Sequence, residues 1–220
     1  MSGGRLTDLQ WRILGVLAGV QPVWTLTGGG ALVGIYLQHR TTKDLDLFWH
    51  GQAQLDELPR EVRERLSNAG LEATVLQSGM TFFQLRVSDG TDVCVIDLVA
   101  DPVPPIETPN RIPIQDSSIE VDTPQEILVN KLCALLGRAE LRDLVDVQGL
   151  LASGTDLKRA LADAPRKDAG FSPLTLAWVL RDIRPKVLGR LAGLDEEQAM
   201  SLETFKEHLI AELLEMGAPE

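Results

Sequence analysis

The sequence predicts an α+β protein, a mixed sheet with flanking helices followed by a helical region. Three observations carry this. Between residues 23 and 121, short apolar or alternating segments recur, bounded by glycine, proline and aspartate turns. From Thr123 onward only helical patterns remain, with recognisable starts and stops. The chain has 220 residues, 44% hydrophobic and 24% charged, so it can bury a core as one large domain or two small ones.

In order, Thr7 is the N-cap of a first helix running to about Val20, and Gln21-Pro22 breaks it. Val23 to Thr27 reads as a short buried strand, Gly28 to Gly30 as a turn, and Ala31 to Gln38 as a helix. A polar connector, His39 to Lys43, leads to an alternating strand over Asp44–Trp49. A charged amphipathic helix covers Ala53 to Asn68 and stops at Ala69-Gly70. Strands follow at Leu71–Gln77, Thr81–Val87 and Asp92–Val99, the last two joined by an Asp-Gly hairpin signal. Asp101 to Pro113 holds five of the twelve prolines and reads as irregular, with an edge strand over Ile114–Val121.

Thr123-Pro124-Gln125-Glu126 opens the helical region, with Thr123 as cap and proline at the first position. Helices are expected to Arg138, over Leu141–Ala152, Asp156–Ala164, Pro173–Asp182, Pro185–Ala192 and Leu202–Met216. The expected division is residues 1–122 and 123–220.

The formal net charge of −11 argues against broad, sequence-blind binding to a nucleic-acid backbone, but leaves room for a local basic pocket. No apolar run approaches the roughly 18 residues of a membrane span, and no signal-peptide pattern opens the chain, so a cytoplasmic, non-membrane protein is expected. Cys94 and Cys133 read as buried free thiols rather than a disulfide or a zinc pair. His39, His50 and His208 show no ligand spacing.

The chemistry concentrates in Leu26–Phe48, LTGGGALVGIYLQHRTTKDLDLF. Asp44 and Asp46 lie two apart on a strand and so share a face. Two such charges repel, and a hard divalent cation, Mg²⁺ first, resolves the conflict. Gly28 and Gly29 let the backbone approach a phosphate at a helix N-terminus. The bland alternative is an exposed strand beside a tight turn. Asp97 interrupts an apolar strand and is the third candidate metal ligand; a salt-bridged or edge-facing aspartate is the alternative.

On one unbroken helix Lys131, Arg138, Arg142 and Asp146 form a stripe, at steps of seven, four and four, with Asp143 pointing away. Three basic groups there would clamp a triphosphate. A solvated face laced by Glu140, Asp143 and Asp146 is the alternative, and Gly137 to Glu140 is a place where the helix would break. Arg184, Lys186 and Arg190 make a short basic cluster, better read as a solvated face than as an RNA contact.

GGGAL, then RTTKDLDLF, then NKLCALLGRAELRDLVDV together resemble the AbiEii/AbiGii toxin family, within the DNA polymerase β-type nucleotidyltransferases. The resemblance spans roughly residues 20 to 150 and implies a nucleotidyltransferase-type sheet, with the helical region completing an active-site cleft. It implies Asp44 and Asp46 as the metal pair, Gly28 and Gly29 as the glycine pair, and Lys131 and Asp146 as the later lysine and aspartate important for activity. Thr41, Thr42 and Lys43 fall at phosphate-contacting positions, with Arg40, Lys43 or Arg138 helping Lys131 to neutralise charge. Gly30 stands where the family often has a hydroxyl. Asp97 or Asp146 would orient or deprotonate the acceptor.

The resemblance further implies NMP transfer from an NTP, with Mg²⁺, to a hydroxyl acceptor, with pyrophosphate released. The acceptor would be tRNA or another RNA, in a toxin with a cognate antitoxin. A small-molecule or protein acceptor, or a nucleotide-binding protein without turnover, are the competing functions.

Overall fold

The computed structural model describes residues 6–37, 41–189 and 192–217, and divides into one unit ending at Thr123 and a second starting at Pro124. The first unit holds helix α1 (Asp8–Leu17), strand β1 (Thr25–Thr27), helix α2 (Gly28–Ala31, continuing as a π-turn over Leu32–Tyr36), β2 (Asp44–His50) and α3 (Leu58–Asn68). Strands β3 (Glu72–Ser78), β4 (Phe82–Ser88), β5 (Val93–Asp101), β6 (Asn110–Ile114) and β7 (Ser117–Val121) complete it.

The seven strands form one mixed sheet in the order β3-β4-β5-β2-β1-β7-β6. β2 is central, parallel to β5 and antiparallel to β1. Its alternation is strict. Leu45, Leu47 and Trp49 are fully buried, while Asp44, Asp46, Phe48 and His50 take the other face. Burying a leucine stabilises by roughly 1.5–3 kcal/mol, so slipping β2 by one residue would forfeit several such terms at once. The core continues through Leu85 and Val87 of β4 and Ile96 and Leu98 of β5. Thr7 caps α1 through a reciprocal pair with Gln10, and α1 contributes buried Leu9, Ile13, Leu14 and Leu17.

Several elements differ from expectation. The glycines 28–30 are the first turn of α2 rather than a turn before it. Residues 110–121 form a hairpin, not one strand: Gln115, at φ 49°, sits at its turn. β7 is not an edge either, because it pairs parallel with β1; β6, which carries Pro113, is the edge, where a missing amide is tolerated.

The second unit is helical: α4 (Pro124–Arg138), α5 (Leu141–Ala152), α6 (Leu157–Asp163), α7 (Pro173–Leu180), the short α8 (Pro185–Leu188) and α9 (Glu196–Met216). Asp156 and Ser172 cap α6 and α7 by accepting from Arg159 N and Thr175 N. α9 starts six residues before the expected Leu202, because Asp195 and Gln198 form a capping box. Ile127, Leu128, Leu132 and Leu135 of α4 and Leu144 and Val147 of α5 are fully buried, and α4 packs on α5, α6 and α7. A buried ion pair, Lys167 Nζ to Glu126 Oε1 at 2.7 Å, ties the segment after α6 to the start of α4. Among the described residues no helix is long and apolar enough to cross a membrane.

Candidate active site

Because β2 and β5 run parallel in register, Asp46 stands directly opposite Asp97, and Asp44 opposite Val95. Asp44, Asp46 and Asp97 therefore occupy one sheet face, as the alternation of charged and apolar residues predicts. Gln84 of β4 stands opposite Asp97 on the other side, and its Nε2 donates to Asp97 Oδ1 at 2.8 Å. Burial pushes the Asp97 carboxyl up, the Gln84 hydrogen bond draws it down, and the Asp44 charge raises it again; it ends above the usual carboxylate range.

Gly28 is packed against the same carboxylates. It has φ +58°, and a Cβ built on it would lie 2.2 Å from Asp46 Oδ2. Only glycine allows this approach. Gly29 occupies the same first turn of α2. A Cβ on Gly30 would meet Leu26 Cδ1 and Leu45 Cδ2, both at 3.1 Å, which seats α2 on β1 and β2.

The connector into β2 is fixed at Thr42. Its hydroxyl donates to Asp44 O at 3.3 Å, and Gln10 Nε2 donates to Thr42 O at 3.2 Å. Thr41 and Lys43 are exposed beside it. His39 and Arg40 lie outside the described residues.

Among the described residues no group of three or more histidine, cysteine, aspartate or glutamate side chains is set to hold a metal ion. The expected three-carboxylate cage over Asp44, Asp46 and Asp97 is thus not closed: Asp97 stands opposite Asp46, and Asp44 is offset along β2 by two residues. The donor set still fits a hard divalent cation. It consists of carboxylate oxygens from adjacent strands on one face, against a glycine backbone with no Cβ in the way. The thiols do not contribute nucleophiles; burial pushes Cys94 up to about 12 and Cys133 up to about 11.

The second cluster lies in the helical unit and departs from the expected stripe. Ala139 has φ 49° and Glu140 is extended, so the chain leaves the helix between α4 and α5. The break turns Asp143 inward. Lys131 Nζ reaches Asp143 Oδ1 and Asp146 Oδ2, each at 2.8 Å, while Arg138 binds the Asp143 carboxylate through Nε at 2.8 Å and Nη2 at 3.0 Å. Asp143 and Asp146 are fully buried and Lys131 is 8% exposed. Arg142 instead points to solvent and pairs with Glu140 at 3.3 Å. The three-cation clamp is therefore corrected to two cations converging on Asp143.

Burial alone would raise the Asp143 carboxyl; Arg138 and Lys131 outweigh it and hold it below the usual range. Burial would lower Lys131, but Asp146 and Asp143 hold its ammonium above the usual lysine range. The cluster holds a fixed, oriented ammonium.

Two further groups were not legible as site residues. Asp143 is one and Gln84 the other, since each owes its place to a chain break or a cross-strand register. His50, with no ligand spacing in sequence, is held by Asp101 Oδ2 at 3.2 Å from Nδ1, and Asp101 accepts from Val103 N. Of the basic cluster, Arg184 and Lys186 are exposed, and Arg190 lies outside the described residues.

A mixed sheet with an aspartate pair on its central strand, fronted by a glycine-led helix, defines a nucleotidyltransferase fold. The chain belongs to the AbiEii nucleotidyl transferase toxin family of type IV toxin–antitoxin systems, whose family model matches residues 12–215, and it is a nucleotidyltransferase. Its fold is similar to that of MenT4, a nucleotidyltransferase toxin from Mycobacterium tuberculosis H37Rv, at 20% identity over 86% of this chain and 71% of that one, with a TM-score of 0.57. It is also similar to JHP933 from Helicobacter pylori, at 21% identity over 93% of this chain and 90% of that one, with a TM-score of 0.50. No curated protein sequence matches the chain.

Proposed function

We propose that the protein transfers a nucleoside monophosphate from an NTP to a hydroxyl of an RNA acceptor, tRNA being the leading candidate, and releases pyrophosphate. The observation that carries this reading is the pairing of Asp46 with Asp97 across β2 and β5, with Asp44 on the same face and Gly28 against Asp46. A divalent cation such as Mg²⁺, held by Asp44 and Asp46 with Asp97 as third ligand, would supply charge neutralisation for the triphosphate.

Each named residue then has a task. The backbone of Gly28 and Gly29, at the start of α2, binds phosphate oxygens, and Thr41, Thr42 and Lys43 extend that contact. Asp97, bonded to Gln84 through Oδ1, orients the acceptor hydroxyl. The hydroxyl oxygen forms a bond to the α-phosphorus, the α–β bridging P–O bond breaks, and the hydroxyl proton leaves toward Asp97. In the helical unit Lys131 and Arg138 are held by Asp143 and Asp146, which fixes the orientation of both cations. Asp146 serves Lys131 rather than the acceptor, because its Oδ2 accepts from Lys131 Nζ. Family membership in a type IV toxin–antitoxin system supports a cognate antitoxin as functional partner.

One observation favours a second acceptor class. The net charge of −11 suits a small cationic acceptor better than a polyanion. The test is incubation with α-labelled NTPs, Mg²⁺ and total RNA, in parallel with small hydroxyl acceptors. The wild type should label RNA, and Asp44→Ala and Asp46→Ala should lose about a hundredfold or more in rate. A wild type that labels no RNA, or variants that label it equally well, would sink the proposal.

A further inference from the structure

The register of the sheet places one polar row across five strands. Thr27 of β1 stands opposite Asp46 of β2, Asp46 opposite Asp97 of β5, Asp97 opposite Gln84 of β4, and Gln84 opposite Gln77 of β3. The last pairing depends on an irregularity. β3 and β4 run regularly from Glu72/Ser88 to Val75/Leu85, and uninterrupted pairing would bring Leu76 opposite Gln84. A bulge between Val75 and Gln77 skips Leu76 and seats Gln77 there instead. Bulges commonly re-aim side chains next to functional sites.

We propose that Gln84 is a positioning residue, whose amide holds Asp97 by Oδ1 and so presents Oδ2 to the divalent cation that Asp44 and Asp46 bind. The inference rests on the carboxylate–cation reading given above and extends it to a residue that touches neither cation nor nucleotide. Its chemistry explains the residue type. A half-buried carboxylate is ordinarily paired with lysine or arginine, which cancels its charge. An amide donates a hydrogen bond that fixes the carboxylate's orientation, yet leaves the full negative charge to attract a cation. Asp44 adds a like charge nearby, which raises the Asp97 carboxyl further. Gln84 takes a single oxygen at 2.8 Å, and the other remains to be used. Groups that orient a ligand in this way typically govern metal affinity by 10–100-fold.

The test is Mn²⁺ binding, followed by the loss of free-ion EPR signal, in the full-length protein with a non-hydrolysable NTP. Gln84→Met, similar in shape but without a donor, should weaken Mn²⁺ binding about tenfold at an unchanged melting temperature. Its kcat should recover as metal is raised. Gln84→Lys, which neutralises Asp97, should weaken binding further. Should the methionine variant fold poorly, Gln84→Asn keeps the amide but is too short to reach, and should give the same loss. Wild-type Mn²⁺ affinity in the Gln84 variants, alongside weakened binding in Asp97→Asn, would overturn the role of Gln84 alone. Wild-type affinity in Asp97→Asn as well would remove Asp97 from the ligand set, and with it the reading on which the proposal rests.

Discussion

A methyl group at position 28 has nowhere to go. The backbone there is left-handed, and the Asp46 carboxylate occupies the space where Cβ would sit. Gly28→Ala should cost roughly 1–2 kcal/mol in stability from the left-handed conformation alone, and displacing Asp46 adds to this. Activity should fall much further than stability if Asp46 is, as proposed, one of the aspartates that hold the divalent cation. Denaturant titration beside a labelling assay separates the two; equal, modest losses in both would show the close approach to be structural only. Gly28 and the aspartates were legible in sequence, since a glycine triplet, two aspartates at period two and one in an apolar strand all break local expectation. Gln84 was not. Nothing near it in the chain marks it, and its role comes from the pairing of β4 with β5.

At the scale of elements, the kink between α4 and α5 decides what the second cluster is. A helical wheel drawn through Lys131 to Asp146 assumes continuity, and alanine is the best of helix formers. The break itself is legible, since separate helices to Arg138 and from Leu141 are expected and found; the left-handed turn at Ala139 that sends Asp143 inward is not. The converse error occurred at α2. Each glycine in a helix costs up to about 1 kcal/mol, which favours a turn, yet packing of Gly30 on Leu26 and Leu45 overrides that preference. The Asp195–Gln198 capping box, by contrast, was written in the sequence and sets the true start of α9.

Asp143→Asn should cost about 2–3 kcal/mol at neutral pH, below the 3–5 of a fully buried pair, because Arg138 is half exposed. The pH dependence has a definite sign. The Asp143 carboxyl is held below its unfolded value, near 3.9, so its contribution is present above that pH and lost as pH falls through the folded value. Lys131 is raised, so its contribution is complete below about 10.4 and fades only at higher pH. Unfolding curves at pH 7 and pH 3 should therefore show the gap between wild type and variant narrowing in acid. A constant gap would exclude the ion pair as its source.

For the whole molecule, the excess of carboxylates bears on how an RNA would arrive. A chain of net charge −11 repels a polyanion at long range. Screening shortens from about 30 Å at 0.01 M salt to about 8 Å at 0.15 M. The KM for an RNA acceptor should accordingly fall as salt rises over that interval, opposite in sign to the behaviour of a basic RNA-binding protein. A KM that climbs steadily with salt would mean that a local basic contact dominates. The row from Thr27 to Gln77 has one more consequence. Five separate strands must agree on a single count of residues for its members to meet. Side chains alternate between faces, so gaining or losing one codon inside β2, β4 or β5 would exchange the polar row for the apolar layer beneath it. The turns between strands are thus free to lengthen or shorten, while the interiors of β2, β4 and β5 are locked to their parity and β3 takes up an extra residue in its bulge.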